Sequence, residues 1–261
     1  MYRSGNPTLS DSTFDKSNYQ DASWWNESSN LMTMEGTVEK TAILLIITTT
    51  LAIATYTLFP GLAVIGFLGG FITAMIVIFS KSNNPVLICA YAGFEGLALG
   101  GFTFFIEIAV EFPGLGIIAA GITFAILGSM LMLYRAKLIS WDRNLAIAVY
   151  SSLGAILIIY LASFIGMFLG FEIPLIHGNG PVGIAFSLFV IGIGALCLVA
   201  DFDFIEKGVE RGAPKQLEWR AAFGLMITLV WLYIEVLKLL AKLASNGREW
   251  HFLSRMLNRL G

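Results

Sequence analysis

Four carboxylates stand inside long apolar runs of this chain: Glu95, Asp201, Asp203 and Glu235. An acid at the centre of a membrane-spanning helix costs roughly 2.5 to 3.5 kcal/mol on insertion scales, so each needs a partner or a function. The simplest partner is an opposite charge three or four residues away on the same helix face. Asp203 has one in Lys207 and Glu235 has one in Lys238, whereas Asp201 and Glu95 have no cation at either spacing. Residues two apart point to nearly opposite sides of a helix, so Asp201 and Asp203 cannot both face one cavity. Asp201 is the stronger site candidate. Glu235 joins it if Lys238 extends toward the membrane interface instead of folding back. Two carboxyls brought close together titrate as a unit. One shared proton pins the helices that carry them, while ionisation of both favours separation and a wet path for a divalent cation, which prefers oxygen ligands. Glu95 is open to three readings: a cation-pathway carboxylate, a pH-sensitive group, or a carboxyl kept neutral by burial.

Other chemistries have little to work with. The chain holds no His-Glu-x-x-His helix, no Gly-x-Ser-x-Gly elbow, no phosphate-binding Gly-Lys-Ser/Thr loop and no Cys-x-x-Cys. With two histidines in all, a conventional zinc site is not expected. Cys89 and Cys197 both lie in apolar runs and read as packing residues. The expectation is a protein that is not an enzyme and holds no cofactor, with a divalent cation ligated at most transiently by Asp201 and Glu235.

The elements that must position these acids are long apolar helices. Of 261 residues, 57% are hydrophobic and only 13% charged, with a mean hydropathy of +0.78. A soluble domain carries about 25% charged residues, so the lipid bilayer is the solvent. Seven stretches reach the ~20 residues a helix needs to cross it: 41–59, 61–80, 85–105, 114–134, 145–169, 183–204 and 221–243. Glycines within them, such as Gly96, Gly100 and Gly101, or Gly192 and Gly194, allow helices to approach closely. The resulting fold class is an all-α integral membrane protein of seven transmembrane helices. Residues 1–40, rich in Ser, Asn, Thr and Asp, read as a disordered polar tail, 41–243 as the membrane domain and 244–261 as a basic C-terminal tail.

Lysine and arginine set the orientation. With seven spans, the tail and the second, fourth and sixth loops share one side. That side holds Lys40, Lys81, Arg135, Lys137, Arg143, Lys207, Arg211, Lys215 and Arg220 among its cations. The opposite loops hold no cation of either type, only Glu107, Glu111, Glu172 and His177. The N-terminus is therefore expected in the cytoplasm. The cluster Lys238, Lys242, Arg248, Arg255 and Arg259 would fall outside, which leaves open a re-entrant last helix. A net charge of −2 gives no general field for nucleic acid.

The stretch Ala200-Asp201-Phe202-Asp203-Phe204-Ile205-Glu206-Lys207-Gly208, then Glu218-Trp219 and Ala222-Phe223-Gly224-Leu225, resembles the end of a Bax inhibitor-1 type protein. Trp231-Leu232-Tyr233-Ile234-Glu235 in the last helix resembles it too. Gly5-Asn6-Pro7 and the run from Asn84-Pro85-Val86 to Tyr91 are similar to the bacterial Bax inhibitor-1/YccA-like branch. The resemblance implies a Bax inhibitor-1-like bundle with the last helix surrounded by the other six, in the bacterial inner membrane. It implies a pH-sensitive calcium leak, gated by a carboxyl pair between helices six and seven. By motif that pair falls on Asp201 and Glu235, a Glu where the family has Asp. The family's basic residue after the second helix has Lys81 as its nearest counterpart, with Glu95 and Asp203 as possible pathway or supporting groups. Some relatives instead modulate a membrane-bound protease. This suggests the alternative of a non-channel regulatory membrane protein working through a stress response or through its polar tail.

Overall fold

The structure, a computed structural model, describes residues 31–170 and 178–260, with side chains as far as Asn246. Among the described residues seven α-helices follow in order: α1 (Met34–Leu58), α2 (Ala63–Ser80), α3 (Pro85–Val110), α4 (Leu115–Arg135), α5 (Arg143–Leu169), α6 (Pro181–Glu210) and α7 (Leu217–Leu260). All seven are long and apolar enough to cross a membrane, as the hydropathy pattern predicts. His177 and residues 1–30 of the expected polar tail lie outside the described residues.

Local chemistry sets the helix ends. α1 begins seven residues before its apolar run because Thr33 caps it: the Thr33 hydroxyl accepts the Gly36 N–H at 2.9 Å, and Glu35 sits in the first turn. The cap and the acid satisfy the exposed N–H groups and dipole of that end, so residues 34–40, expected as tail, are helix. Asn84 and Asp142 cap α3 and α5 in the same way, accepting from Val86 N–H and Leu145 N–H. Lys81 closes α2 in a left-handed conformation, φ 50°. The 3-10 turn Pro60–Leu62 joins α1 to α2.

No residue of α7 from 217 to 242 is exposed. A helix buried on every side is a core element. α7 packs chiefly on α6, α1, α4 and α3, whereas α2 leans on α3 and α5 on α6. The last helix is central as expected, but four helices form its main wall and two sit further out. The outward faces carry Ile158, Leu161, Phe164 and Phe168 of α5, all exposed, as a lipid-facing surface requires. α7 also corrects the C-terminal reading. It runs unbroken for 44 residues, so the basic stretch 244–261 continues the helix to Leu260 and no re-entrant turn forms.

Candidate functional site

A polar stripe runs along α7 inside this apolar bundle. Thr228, Glu235 and Lys242 are spaced by seven residues, which keeps them on one face over about 21 Å of helix. That is some two-thirds of the ~30 Å hydrocarbon core. At one end Asp201 of α6, 1% exposed, accepts the Thr228 hydroxyl at 2.6 Å. At the other, the buried Lys242 ammonium donates to the Gly183 carbonyl at 3.0 Å and the Ser187 hydroxyl at 2.9 Å, both on α6. Between them Glu235, 3% exposed, pairs with Lys238 at 2.7 Å. Tyr160 of α5 also hydrogen-bonds the Glu235 carboxyl, and the Lys238 ammonium lies 5.0 Å from that ring's centre. Burial without partners is costly for all these groups, and each has found one.

Asp201 thus meets the stripe across the α6–α7 contact, whereas Glu235 is met by Lys238 of its own helix and Tyr160 of α5. Thr228 and Glu235 are two turns apart, about 10 Å along the axis. Lys238 folds back onto Glu235. Asp203 pairs with Lys207 at 2.5 Å, the local helical pair its spacing predicts. Glu95, half-buried on α3, is hydrogen-bonded by Tyr91 one turn earlier and lies close against Gly70 of α2. Lys81 reaches the last helix through its backbone: its carbonyl accepts from the buried Arg220 at 3.1 Å, while its side chain is exposed.

Sequence reasoning missed several buried polar groups. Glu218, fully buried, accepts the Thr33 N–H at 2.9 Å and its hydroxyl at 3.1 Å, and pairs with Lys40 at 2.8 Å. Met32, 2% exposed, adds a backbone bond to the Ala213 carbonyl at 2.7 Å. The residues leading into α1 are thus fastened to the linker between α6 and α7. Lys40 had weight only as a topological charge, and 185 residues separate Thr33 from Glu218. Glu107, expected in an outer loop, lies within α3 and is 6% exposed. Its carboxylate accepts from the Tyr56 hydroxyl at 2.7 Å, the Gly114 N–H at 3.0 Å and the Gly116 N–H at 2.8 Å. The four residues between Val110 and Leu115 leave α3 and α4 as neighbours at this end, which was the available signal. Among the described residues no three His, Cys, Asp or Glu side chains gather as metal ligands.

Seven membrane-length helices, the last of them buried at the centre, with ionisable groups tied to each other inside the apolar bundle, define a multi-pass helical membrane protein. The sequence matches the family described as Bax inhibitor 1 like over residues 6–245, and the chain belongs to that family. No curated protein matches it closely enough to count as a relative.

Proposed function

We propose that this protein is a pH-sensitive Ca2+ leak channel of the Bax inhibitor-1 type, gated at the α6–α7 seam by Asp201 and Glu235. The observation that carries this reading is the polar stripe Thr228–Glu235–Lys242 of α7, bonded to α6 through Thr228 and Lys242 and to Tyr160 of α5 through Glu235 inside an otherwise apolar bundle. With Asp201 protonated, the seam holds a hydroxyl pair and one internally neutral ion pair, Glu235 with Lys238. Loss of the proton places a negative charge in the buried seam, where the lack of water penalises it. That penalty favours a second helix arrangement in which Asp201 is hydrated. The same charge draws in water and a divalent cation. The leak accordingly rises as pH rises through the titration of Asp201. Glu95 and Asp203, each satisfied by a neighbour, have supporting roles, and the bacterial inner membrane with a cytoplasmic N-terminus is the setting.

Purified protein in proteoliposomes, assayed for Ca2+ uptake from pH 5 to 8, tests this. One titrating group gives up to about tenfold more flux per pH unit on the rising limb. Asp201→Asn removes the titration and flattens the profile at its low-pH level. Glu235→Gln leaves the Lys238 ammonium without its acid, and the excess positive charge lowers Ca2+ flux at every pH. Absence of flux from well-folded protein at any pH would overturn the channel reading.

A second reading, a regulator of a membrane protease, draws on the fastening of residues 31–40 to the α6–α7 linker. Deleting residues 1–30, which spares the fastened segment, leaves Ca2+ flux intact and removes the cellular effect if this reading holds.

A further inference from the structure

A cleft of about 590 Å³ opens between α1 and α4, with α3 and α7 as its floor. This is within the 300–1,000 Å³ range of ligand pockets. α1 and α4 make no substantial contact with one another. The rim residues Ile53, Ile117 and Phe124 are 60%, 82% and 49% exposed and belong to the lipid-facing surface. From Leu45 to Tyr56 the cleft follows α1 for about 16 Å. It is lined almost wholly by apolar atoms, and the Thr103 and Tyr233 hydroxyls in its floor are bonded to each other at 2.6 Å.

One end differs. There the lining includes the Glu107 carboxylate, more than nine-tenths buried. Its three donors, Tyr56 and the Gly114 and Gly116 amides, are all neutral. Among the described residues no Lys or Arg pairs with it. Buried carboxylates are ordinarily matched by a cation, and this one faces a lipid-accessible cavity instead. The polar end and the apolar length together describe the complement of an amphiphile with a cationic head.

We infer that the α1–α4 cleft binds a single-chain membrane amphiphile bearing an amine, with its ammonium on Glu107 and its chain along the apolar groove. The chain enters sideways from the bilayer between Ile53 and Ile117. The ammonium supplies the charge that Glu107 lacks within the fold, and the Tyr56 bond holds the carboxylate facing the cleft. This site lies apart from the Asp201–Glu235 seam and does not depend on whether the protein conducts.

The test uses full-length protein in nanodiscs and a photoreactive dodecylamine, compared with photoreactive dodecanoic acid of the same chain length. Labelled peptides are located by mass spectrometry. The amine is expected to label the α1 and α4 rim at least tenfold more than the acid. Glu107→Gln should abolish that preference, leaving equal labelling by both probes. Ala120→Trp, which fills the groove away from Glu107, should suppress rim labelling by both while the protein keeps its fold. Equal labelling of the wild-type rim by amine and acid would overturn the inference. So would amine labelling spread evenly over the lipid-facing helices, or a preference that survives Glu107→Gln.

Discussion

Glu218 and Lys40 form a buried ion pair whose acid also takes two bonds from Thr33, so all the charge at this point is matched inside the fold. Removing one member of such a pair strands the other and typically costs about 3 to 5 kcal/mol, whereas replacing both with apolar groups costs far less. Glu218→Gln alone should therefore lower the thermal unfolding midpoint markedly in detergent. Adding Lys40→Met to it should recover much of the loss, and a double-mutant cycle by thermal melts measures the difference. An additive pair of losses would show that the two residues do not depend on each other. At this scale the sequence was legible where partners are close along a helix, as for Asp203 with Lys207. It was opaque where they come from distant turns: Thr228 for Asp201, Tyr160 for Glu235, Thr33 for Glu218. Helical spacing encodes same-face neighbours, and it carries no information about which face of another helix will arrive.

The helices themselves were legible because a bilayer imposes length and hydropathy on every one of them. Their ends were less so, because polar caps extend helices past apolar runs, as Thr33 does for α1. Their contacts depend on which glycines face a neighbour. A Cβ placed on Gly100 would come within 2.2 Å of the Ala52 carbonyl oxygen on α1, and one on Gly96 within 2.5 Å of the Thr48 carbonyl oxygen. Thr48 adds a hydroxyl bond across the same contact, to the Ala92 carbonyl at 2.8 Å. Gly192 on α6 has open space where its Cβ would sit. Gly100→Ala should force α1 away from α3 at about 1 to 3 kcal/mol, the usual range for overpacking. Gly192→Ala should be nearly neutral. Thermal melts of the two variants decide it, and equal effects would mean that the α1–α3 approach is not set by glycine.

The whole molecule is a central helix with a polar stripe, walled by α1, α3, α4 and α6. Burial all round α7 could be anticipated from the family resemblance, since its sequence carries charges that periodicity alone would assign to a surface. The division of its polar residues between α6 and α5 could not, because it depends on the rotation of α7 within the bundle. Asp201 bonded to Thr228 and Lys242 bonded to Ser187 fasten α6 to α7 near both ends of the stripe. In the proposed gating, proton release from Asp201 puts a charge into this buried seam, and its hydration loosens the contact. The most direct check is dipolar broadening between spin labels at Val182 of α6 and Leu243 of α7, both exposed at the same end of the seam. The protein, with Cys89 and Cys197 replaced by Ala, is measured in liposomes at pH 5 and pH 8. The account predicts strong broadening at pH 5 that is lost at pH 8, and retained at both in Asp201→Asn. Unchanged broadening in the otherwise wild-type protein across that range would contradict it.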